Sequence, residues 1–488
     1  MNDELPEGWA EARLAEVADV ALGKMLDRVK RTKGRLLPYL RNANVRWGEF
    51  DLTSLLEMHF QDDELDRYGL ERNDLLICEG GEPGRAAVWK GSEKPIKYQK
   101  ALLRVRTCEG VDPRWVMRSL QHDAMRGALE SYFTGSTIKH FPQQAARAYR
   151  LPVPPLQEQR RIVAKLEELL GKVDACKERL AKIPALFKRF RQSVLAAACT
   201  GRLTEDWREV NPASDCVSND DGLPAGWRVV SVGEVVDSLR YGTARKCSSE
   251  KRGSPVLRIP NVVGGTVNHS GLKYTELPSA EAKQLRLEVG DILLIRSNGS
   301  VSLVGRCAIV REPERGFAYA GYLIRIRPCA HVVAPEFLAL SLGSYGVRCQ
   351  IELQARSTSG VNNINSDEVR ALRISLPPLP EQREIVRRAN GLVASADQVE
   401  WRIAKAQSEV DQLCPSLLAK GFRGELVPTE AELARREGRS FEPAGDILEK
   451  IREGREQRAE PLGRERRSRR QGARLTAAAV PRPRRAKG

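Results

Sequence analysis

Hydrophobic positions along the chain follow two rhythms that alternate twice. The first is a set of short apolar runs broken by Gly, Pro and Asn, such as DLLICEGG, ALLRVR, GDILLIRSNGS, VGRCAIV and YLIRIRP. Runs of this kind predict strands joined by turns. Helical stretches over Pro113–Tyr132 and Pro335–Gln354 interrupt them, so each such block reads as a mixed α/β domain. The second rhythm is helical. After Pro155, apolar side chains recur at Ile162, Leu166, Leu169, Val173, Cys176, Leu180 and Ile183; after Pro378 they recur at Ile385, Ala389, Leu392, Ala396, Val399, Ile403, Ala406, Val410 and Leu413. Both sets advance in alternating steps of four and three, which predicts one narrow seam per helix and a left-handed supercoil. Burying the two seams against each other within the chain is the economical arrangement. The alternative packs each helix on its own globular domain. Pro184 lies inside the first run and predicts a break or kink, whereas Gln407 takes that place in the second.

The alternation is a duplication. Leu5-Pro6-Glu7-Gly8-Trp9 recurs as Leu223-Pro224-Ala225-Gly226-Trp227, and Leu40-Arg41-Asn42-Ala43-Asn44 aligns with Leu257-Arg258-Ile259-Pro260-Asn261. Asp74-Leu75-Leu76 aligns with Asp291-Ile292-Leu293, and Leu103-Arg104-Val105-Arg106 with Ile324-Arg325-Ile326-Arg327. Pro154–Arg160 (PPLQEQR) aligns with Pro377–Arg383 (PPLPEQR). The order never changes and the offset drifts only between 217 and 223, so the helical seams stay in register: Ile162 and Ile385 are 223 apart. The expected divisions are a first α/β domain over 1–153, a helical region over 154–205, a linker over 206–222, a second α/β domain over 223–376, a second helical region over 377–427 and an extension over 428–488. Trp9 and Trp227, in matching contexts, read as core anchors of each copy.

Charge changes the picture in one respect. The 488 residues carry a net charge of +16, which favours a polyanionic partner, nucleic acid or an acidic membrane surface. Ten Lys/Arg against one acidic residue between Pro461 and Gly488 supply +9 of it, so the body is only mildly basic. That tail has few apolar residues and is expected to be disordered. A short helix is expected around Gly445–Ala459. The ten cysteines show no CxxC spacing and only five histidines are available, which argues against a zinc site and fits a reducing cytoplasm. No apolar run reaches the length of a membrane span, and the start of the sequence has no basic-then-apolar signal pattern. A soluble, cytoplasmic protein is expected. There is no GxxxxGK[ST] phosphate loop and no Gly-rich cofactor loop followed by an Asn/Asp-Pro-Pro-aromatic run. Neither catalytic nor metal-ligating residues are therefore assigned.

With these motifs assembled, the chain resembles the specificity subunits of type I restriction–modification systems. The resemblance runs from Leu5 to Leu426. It rests on the duplicated LPxGW, on LRNANV and GDILLIRSNGS, on TGSTIKHF and STSGVNNI at equivalent places, and on PPLxEQRxIV opening each helix, with QSVLAAACTGRL and CPSLLAKGFRGEL following. It implies an α+β fold: two target recognition domains alternate with two long helices that pair as an antiparallel coiled coil, in a pseudo-two-fold repeat. It further implies that each domain reads half of a split double-stranded DNA site, and that two methylation subunits and two restriction (motor) subunits are partners. S-adenosylmethionine, ATP and Mg would then belong to those partners, and this chain would bind no cofactor and catalyse nothing. The helix-pairing seam would comprise Ile162, Leu166, Leu169, Val173, Leu180, Ile183, Ile385, Leu392, Val399, Ile403 and Val410. A single-chain DNA methyltransferase or nuclease with a cryptic site, and a coiled-coil scaffold without DNA affinity, are the competing readings.

Base edges are read by Arg, Lys, Asn, Gln, Ser and Thr on loops or helix starts. In the first domain this selects Arg41, Asn42, Asn44, Arg46, Glu79, Arg85, Lys100, Thr137, Lys139 and His140 as DNA-binding candidates. In the second it selects Arg258, Asn261, Arg296, Ser297, Asn298, Ser300, Tyr322, Ser359, Asn362 and Asn363. Lys139 and His140, after a Gly-Ser-Thr loop, suit phosphate contacts that position without specifying. Glu79 aligns with Arg296. If both reach bases, an acceptor suited to cytosine in one half would correspond to a donor suited to guanine in the other.

Overall fold

The computed structural model describes residues 4–25, 34–212, 222–358 and 361–457. The chain divides into two compact units, one of residues 1–178 with 407–488 and one of residues 179–406. Each unit therefore holds one α/β module, the start of that module's own long helix and the end of the other module's.

In the first unit an antiparallel sheet runs in the order Ala18–Leu22, Leu102–Thr107, Leu75–Cys78, Ala86–Val88. The second unit repeats it as Val236–Tyr241, Leu323–Pro328, Ile292–Ile295, Cys307–Ile309. The sequence explains why Leu75–Cys78 and Ile292–Ile295 lie inside: every residue of LLIC and of ILLI is apolar, so both faces of the strand can be covered. Alternation then sends successive side chains to opposite faces. Leu75 and Ile77 join one core, and Leu76 and Cys78 join another. Ile292 and Leu294 are likewise separated from Leu293 and Ile295. The outer core of each module is closed by a smaller sheet, Leu56–Phe60, Arg35–Leu40, Lys97–Tyr98 in the first and Lys273–Thr275, Ser254–Leu257, Ala318–Tyr319 in the second. Each sheet is tied to the loop before it by a buried aspartate. Asp74 accepts the Glu71 N–H at 2.7 Å and a two-pronged pair of bonds from Arg106 at 2.8 and 2.9 Å; Asp291 does the same with Glu288 at 2.8 Å and Arg327 at 2.7 Å twice.

The duplicated motifs meet in space. Ala10–Arg13, just after the first LPxGW, pairs with Arg150–Val153, just before the first PPLxEQR, and Arg228–Ser231 pairs with Arg373–Leu376 in the second copy. The Trp9 indole N–H donates to Glu158 at 2.9 Å, and that of Trp227 to Glu381 at 2.9 Å. The adjacent Gln159 accepts the Asp112 N–H and donates to the carbonyls of Gly110 and Pro154; Gln382 accepts the Ala334 N–H and donates to those of Val332 and Pro377. Both Glu side chains keep a second acceptor position for the chain that follows the other module's helix. Glu158 accepts the Glu430 N–H at 2.7 Å; Glu381 accepts the Thr204 hydroxyl at 2.7 Å and Arg208 at 2.6 Å. Burial raises the Glu158 pKa, opposed by the bonds from Glu430 and Trp9.

The long helices are Leu156–Cys199 and Leu379–Phe422. In the first unit Lys177 pairs with Asp411 at 2.9 Å, and Ile162 and Leu166 lie against Gly421. In the second, Arg191 reaches Asp397 and Glu400, and Arg388 reaches the Leu203 carbonyl and Asp206. The helices are thus antiparallel neighbours in both. Their covered stripe differs from the expected seam. Buried and half-buried positions fall at 162, 166, 170, 173, 177, 180, 183, 187, 191, 194 and 198, and again, 223 residues later, at 385, 389, 393, 396, 400, 403, 406, 410, 414, 417 and 421. Ten steps cover 36 residues, 3.6 per step, the period of a straight α-helix rather than a strict heptad. Ile162, Leu166, Val173, Leu180, Ile183, Ile385, Ile403 and Val410 lie on that stripe. Leu169 is half-buried beside the more buried Leu170, and Leu392 and Val399 are exposed at 38% and 45%. Pro184 does not break the first helix, and Pro415 sits inside the second. Both prolines are on the exposed side of their helices.

Beyond the helices, Glu205–Val210, which runs from the end of the first helical region into the expected linker over 206–222, forms a short helix whose Arg208 docks on Glu381. In the first unit, Glu430–Glu437 and the helical residues 444–457 lie on the first module. The Ala444 N–H donates to the Gly8 carbonyl at 2.9 Å, and Arg455 bonds the Ala15 carbonyl and Asp19. A side chain at Gly8 would strike Phe441, and one at Gly110 would strike Ile447. The basic tail after residue 460 lies outside the described residues. Among those residues, no helix is long and apolar enough to cross a membrane.

Candidate nucleic-acid interface

Each module gathers three segments at one end of its central strand. In the first they are the turn after Leu40, the loop after Cys78 and the hairpin Thr134–His140. The loop folds back so that the Gly84 N–H meets the Cys78 carbonyl, with Gly81 and Gly84 at positive φ. Glycine is required at Gly81, where φ is positive and a Cβ would lie 2.5 Å from Asn42 Nδ2; a Cβ on Gly80 would lie 3.0 Å from His140 Nδ1. Asn42 donates to the Gly80 carbonyl at 3.1 Å, and Arg85 donates to the Asn42 carbonyl at 3.0 Å while pairing with Glu82. Glu79 donates its N–H to Ala101, next to Lys100, and accepts the Phe141 N–H at 2.7 Å. Asn42, Glu79, Arg85, Lys100 and His140 are therefore neighbours. Thr137, Lys139 and His140 are exposed on the hairpin, which Thr134 and His140 close by two backbone bonds, and Lys139 pairs with Glu130 at 2.8 Å. Arg46 is exposed on a small hairpin, opposite Glu49.

In the second module the loop after Ile295 and the strands Arg356–Thr358 and Val361–Asn363 form a three-stranded sheet with Ser297–Asn298 at its edge. Arg296 lies over the Tyr241 ring, 4.4 Å from its centroid, and donates through Nε to Asn363 at 3.2 Å. Asn298 caps the Ser300 N–H at 2.9 Å, and Asn362 donates to the Gly299 carbonyl at 3.1 Å. The Arg296 N–H bonds the carbonyl of Tyr322, a residue 64% exposed. Arg296, Ser297, Asn298, Ser300, Tyr322, Asn362 and Asn363 are thus brought together. Ser359 lies outside the described residues.

Two candidates do not belong to either surface. Asn44 and Asn261 are buried at equivalent places. Each accepts a backbone N–H, from Arg41 and from Arg258, and donates to two carbonyls, of Asp51 and Ser54 and of Asn268 and Ser270. They anchor turns, the competing use of asparagine in loops. Arg41 and Arg258 flank those turns half-buried, each with a buried Nε that no acceptor meets, and Arg258 donates to the Gly271 carbonyl. Sequence reading missed Tyr241. It ends a strand 55 residues before Arg296, and only the sheet brings the two together. It also missed Ile138 and Val361, aliphatic side chains 65% and 43% exposed on the equivalent hairpins, for which the alternation of those hairpins was the available signal.

A family profile described as the type I restriction modification DNA specificity domain matches residues 6–185 and 224–398, so that each match opens in LPxGW and ends within a long helix. Among curated proteins, the chain is 29% identical over 434 residues to the type I restriction enzyme EcoKI specificity subunit of Escherichia coli K12, covering 87% of this chain and 90% of that one. It is 31% identical over 370 residues to the EcoBI specificity subunit of Escherichia coli, covering 74% and 75%. Among solved structures it resembles the HsdS subunit from Thermoanaerobacter tengcongensis, with a TM-score of 0.57, 22% identity, and coverage of 86% of this chain and 98% of that one. A chain from a study of assembly and conformational transition in the type I R-M system gives a TM-score of 0.65 at 21% identity, covering 86% and 99%. These two likenesses concern the fold.

Proposed function

Because the chain belongs to the type I restriction–modification DNA specificity family, we propose that its two modules read the two halves of a split, asymmetric DNA site for a complex that methylates and restricts DNA. The observation that carries this reading is a pair of loop clusters built on the same backbone frame and lined by different side chains, glycine, glutamate and histidine in one and arginine, asparagine and tyrosine in the other. A common frame with unlike side chains suits a target whose halves stand in the same relation to the reader but differ in sequence. The exposed Lys100, Thr137, Lys139 and His140 suit phosphate contacts that fix register.

The chemistry would sit elsewhere in the complex. Two methylation subunits holding S-adenosylmethionine would dock along the exposed flanks of the long helices, and two restriction subunits would use ATP and Mg, with this chain contributing recognition and scaffolding in the cytoplasm. The helices would set the distance between half-sites. Seven residues add about 10 Å of helix, the rise of about three base pairs. Inserting a heptad at the centre of both helices is therefore expected to lengthen the gap in the methylated site by about three base pairs and leave both half-site sequences unchanged. A lengthened chain that methylates the original spacing would contradict the ruler. The recognition role is tested by mapping methylated sites in host DNA with the gene intact and deleted, and by assaying the purified chain alone with S-adenosylmethionine. A split motif that disappears with the gene, and no methyl transfer by the chain alone, are expected. Transfer by the chain alone would favour a single-chain enzyme.

A further inference from the structure

Glu79 and Arg296 occupy one position in two modules. Each follows the last residue of the central strand. The Glu79 N–H bonds the Ala101 carbonyl at 2.9 Å and its own carbonyl accepts the Phe141 N–H at 2.7 Å; the Arg296 N–H bonds the Tyr322 carbonyl at 3.0 Å and its carbonyl accepts the Ile364 N–H at 2.9 Å. The residues before them are framed alike as well: the Cys78 carbonyl accepts from Gly84 at 2.9 Å and the Ile295 carbonyl from Gly305 at 2.7 Å. What surrounds the position is inverted. Arg296 stands on Tyr241 and is steered through Nε by Asn363. The strand registers put Leu22 where the second module has Tyr241, since Leu103 pairs with Leu22 and Ile324 with Tyr241. His140 takes the place of Asn363, and Gly80 and Gly81 those of Ser297 and Asn298.

We propose that this position determines specificity with opposite chemistry in the two modules: Arg296 reads guanine in one half-site, and Glu79 reads the amino group of cytosine in the other. The inference rests on the DNA-reading role proposed above. Held by stacking and by Nε, the Arg296 guanidinium keeps both terminal nitrogens without a partner among the described residues, which is the fork that guanine O6 and N7 accept. An arginine serving only to brace the loop would spend those nitrogens on carbonyls, as Arg348 does on Val301 and Val304. Glu79 is half-buried, and its carboxylate has no hydrogen bond or ion pair among the described residues. The carboxylate is thus open to an incoming donor, and cytosine N4 is such a donor.

The test uses the complete chain co-expressed with its methylation partner, with methylated motifs read from host DNA. For Arg296→Gln and Arg296→Lys, preference for guanine at one position of one half-site is expected to fall about tenfold or more, with the other half-site unchanged. For Glu79→Gln, preference for cytosine is expected to fall at one position of the opposite half-site. Arg296→Lys keeps the charge and loses the fork, so an unchanged motif in that variant would reassign Arg296 to a phosphate contact and overturn the proposal. Unchanged motifs in Glu79→Gln, or a change affecting both half-sites at once, would overturn it as well. A wild-type motif that persists when the gene is deleted would instead sink the recognition role itself.

Discussion

The bond between Trp9 and Glu158, repeated by Trp227 and Glu381, shows how single side chains close each module. A carboxylate with two acceptor oxygens receives the indole N–H of its own module through one and the chain beyond the other module's helix through the other. Replacing Trp227 with Phe keeps most of the buried ring and removes the donor. The expected cost is about 1–3 kcal/mol in denaturant unfolding, and a loss within a few tenths would show that the bond contributes little. Glu430 gives a pH-dependent version of the same closure. Burial pushes its pKa up, but the ion pairs with Arg161 and Arg439, both at 2.7 Å, bring it below the ordinary value. A lowered folded pKa contributes stability that is present above the unfolded value, about 4.3, and lost as pH falls through the folded one. Glu158 acts in the opposite sense, because its pKa is raised. The comparison to make is therefore between wild type and Glu430→Gln. Protection of the amides of Glu430–Glu437 against hydrogen exchange should differ between them near pH 6, and the difference should shrink as pH falls below about 4.3 and through the lowered folded pKa. A difference that persists in acid would rule out the ion pairs as its source. At this scale little was legible in advance. Asn44 and Asn261 look like readers in sequence because turn-anchoring and base-reading call on the same amide, and the support of Arg296 by Tyr241 depends on strand pairing that no local pattern encodes.

At the scale of elements, legibility was much better. Strands entirely of Leu, Ile and Cys could only lie inside a covered sheet, and the repeat placed both copies of the PPLxEQR helix start in register. The seam was misplaced where steps of four and three were extended as a strict heptad. Over ten steps a straight helix drifts away from a 3.5 repeat, which carries the stripe from Leu169 to Leu170 and turns Leu392 and Val399 outward. Of the break or kink expected at Pro184, the break is absent: the helix runs from Leu156 to Cys199 with the proline on its exposed side. Pro184→Ala restores an N–H donor on an exposed face and is expected to stabilise the chain by roughly 1–3 kcal/mol, less a small entropic offset in the unfolded state. Destabilisation in denaturant would show that Pro184 sets a bend the packing needs.

For the whole molecule, duplication with exchanged helix ends accounts for the two compact units. The end of each long helix contributes to the other module's core, Cys414 and Leu418 to the first and Ala198 to the second, so neither copy of the repeat is a self-contained segment of sequence. Deleting one module would remove the seat of the other helix's end, and exchange is the better probe. The central claim, that each module reads its own half of a DNA target, is tested most directly by replacing residues 229–375 with residues 11–152. This leaves Trp227, Glu381 and Gln382 in place while methylated motifs are mapped in the host genome. The second half-site's sequence is expected to disappear and the motif to become two inverted copies of the first. A motif that keeps the second half-site's sequence after the exchange would contradict that claim.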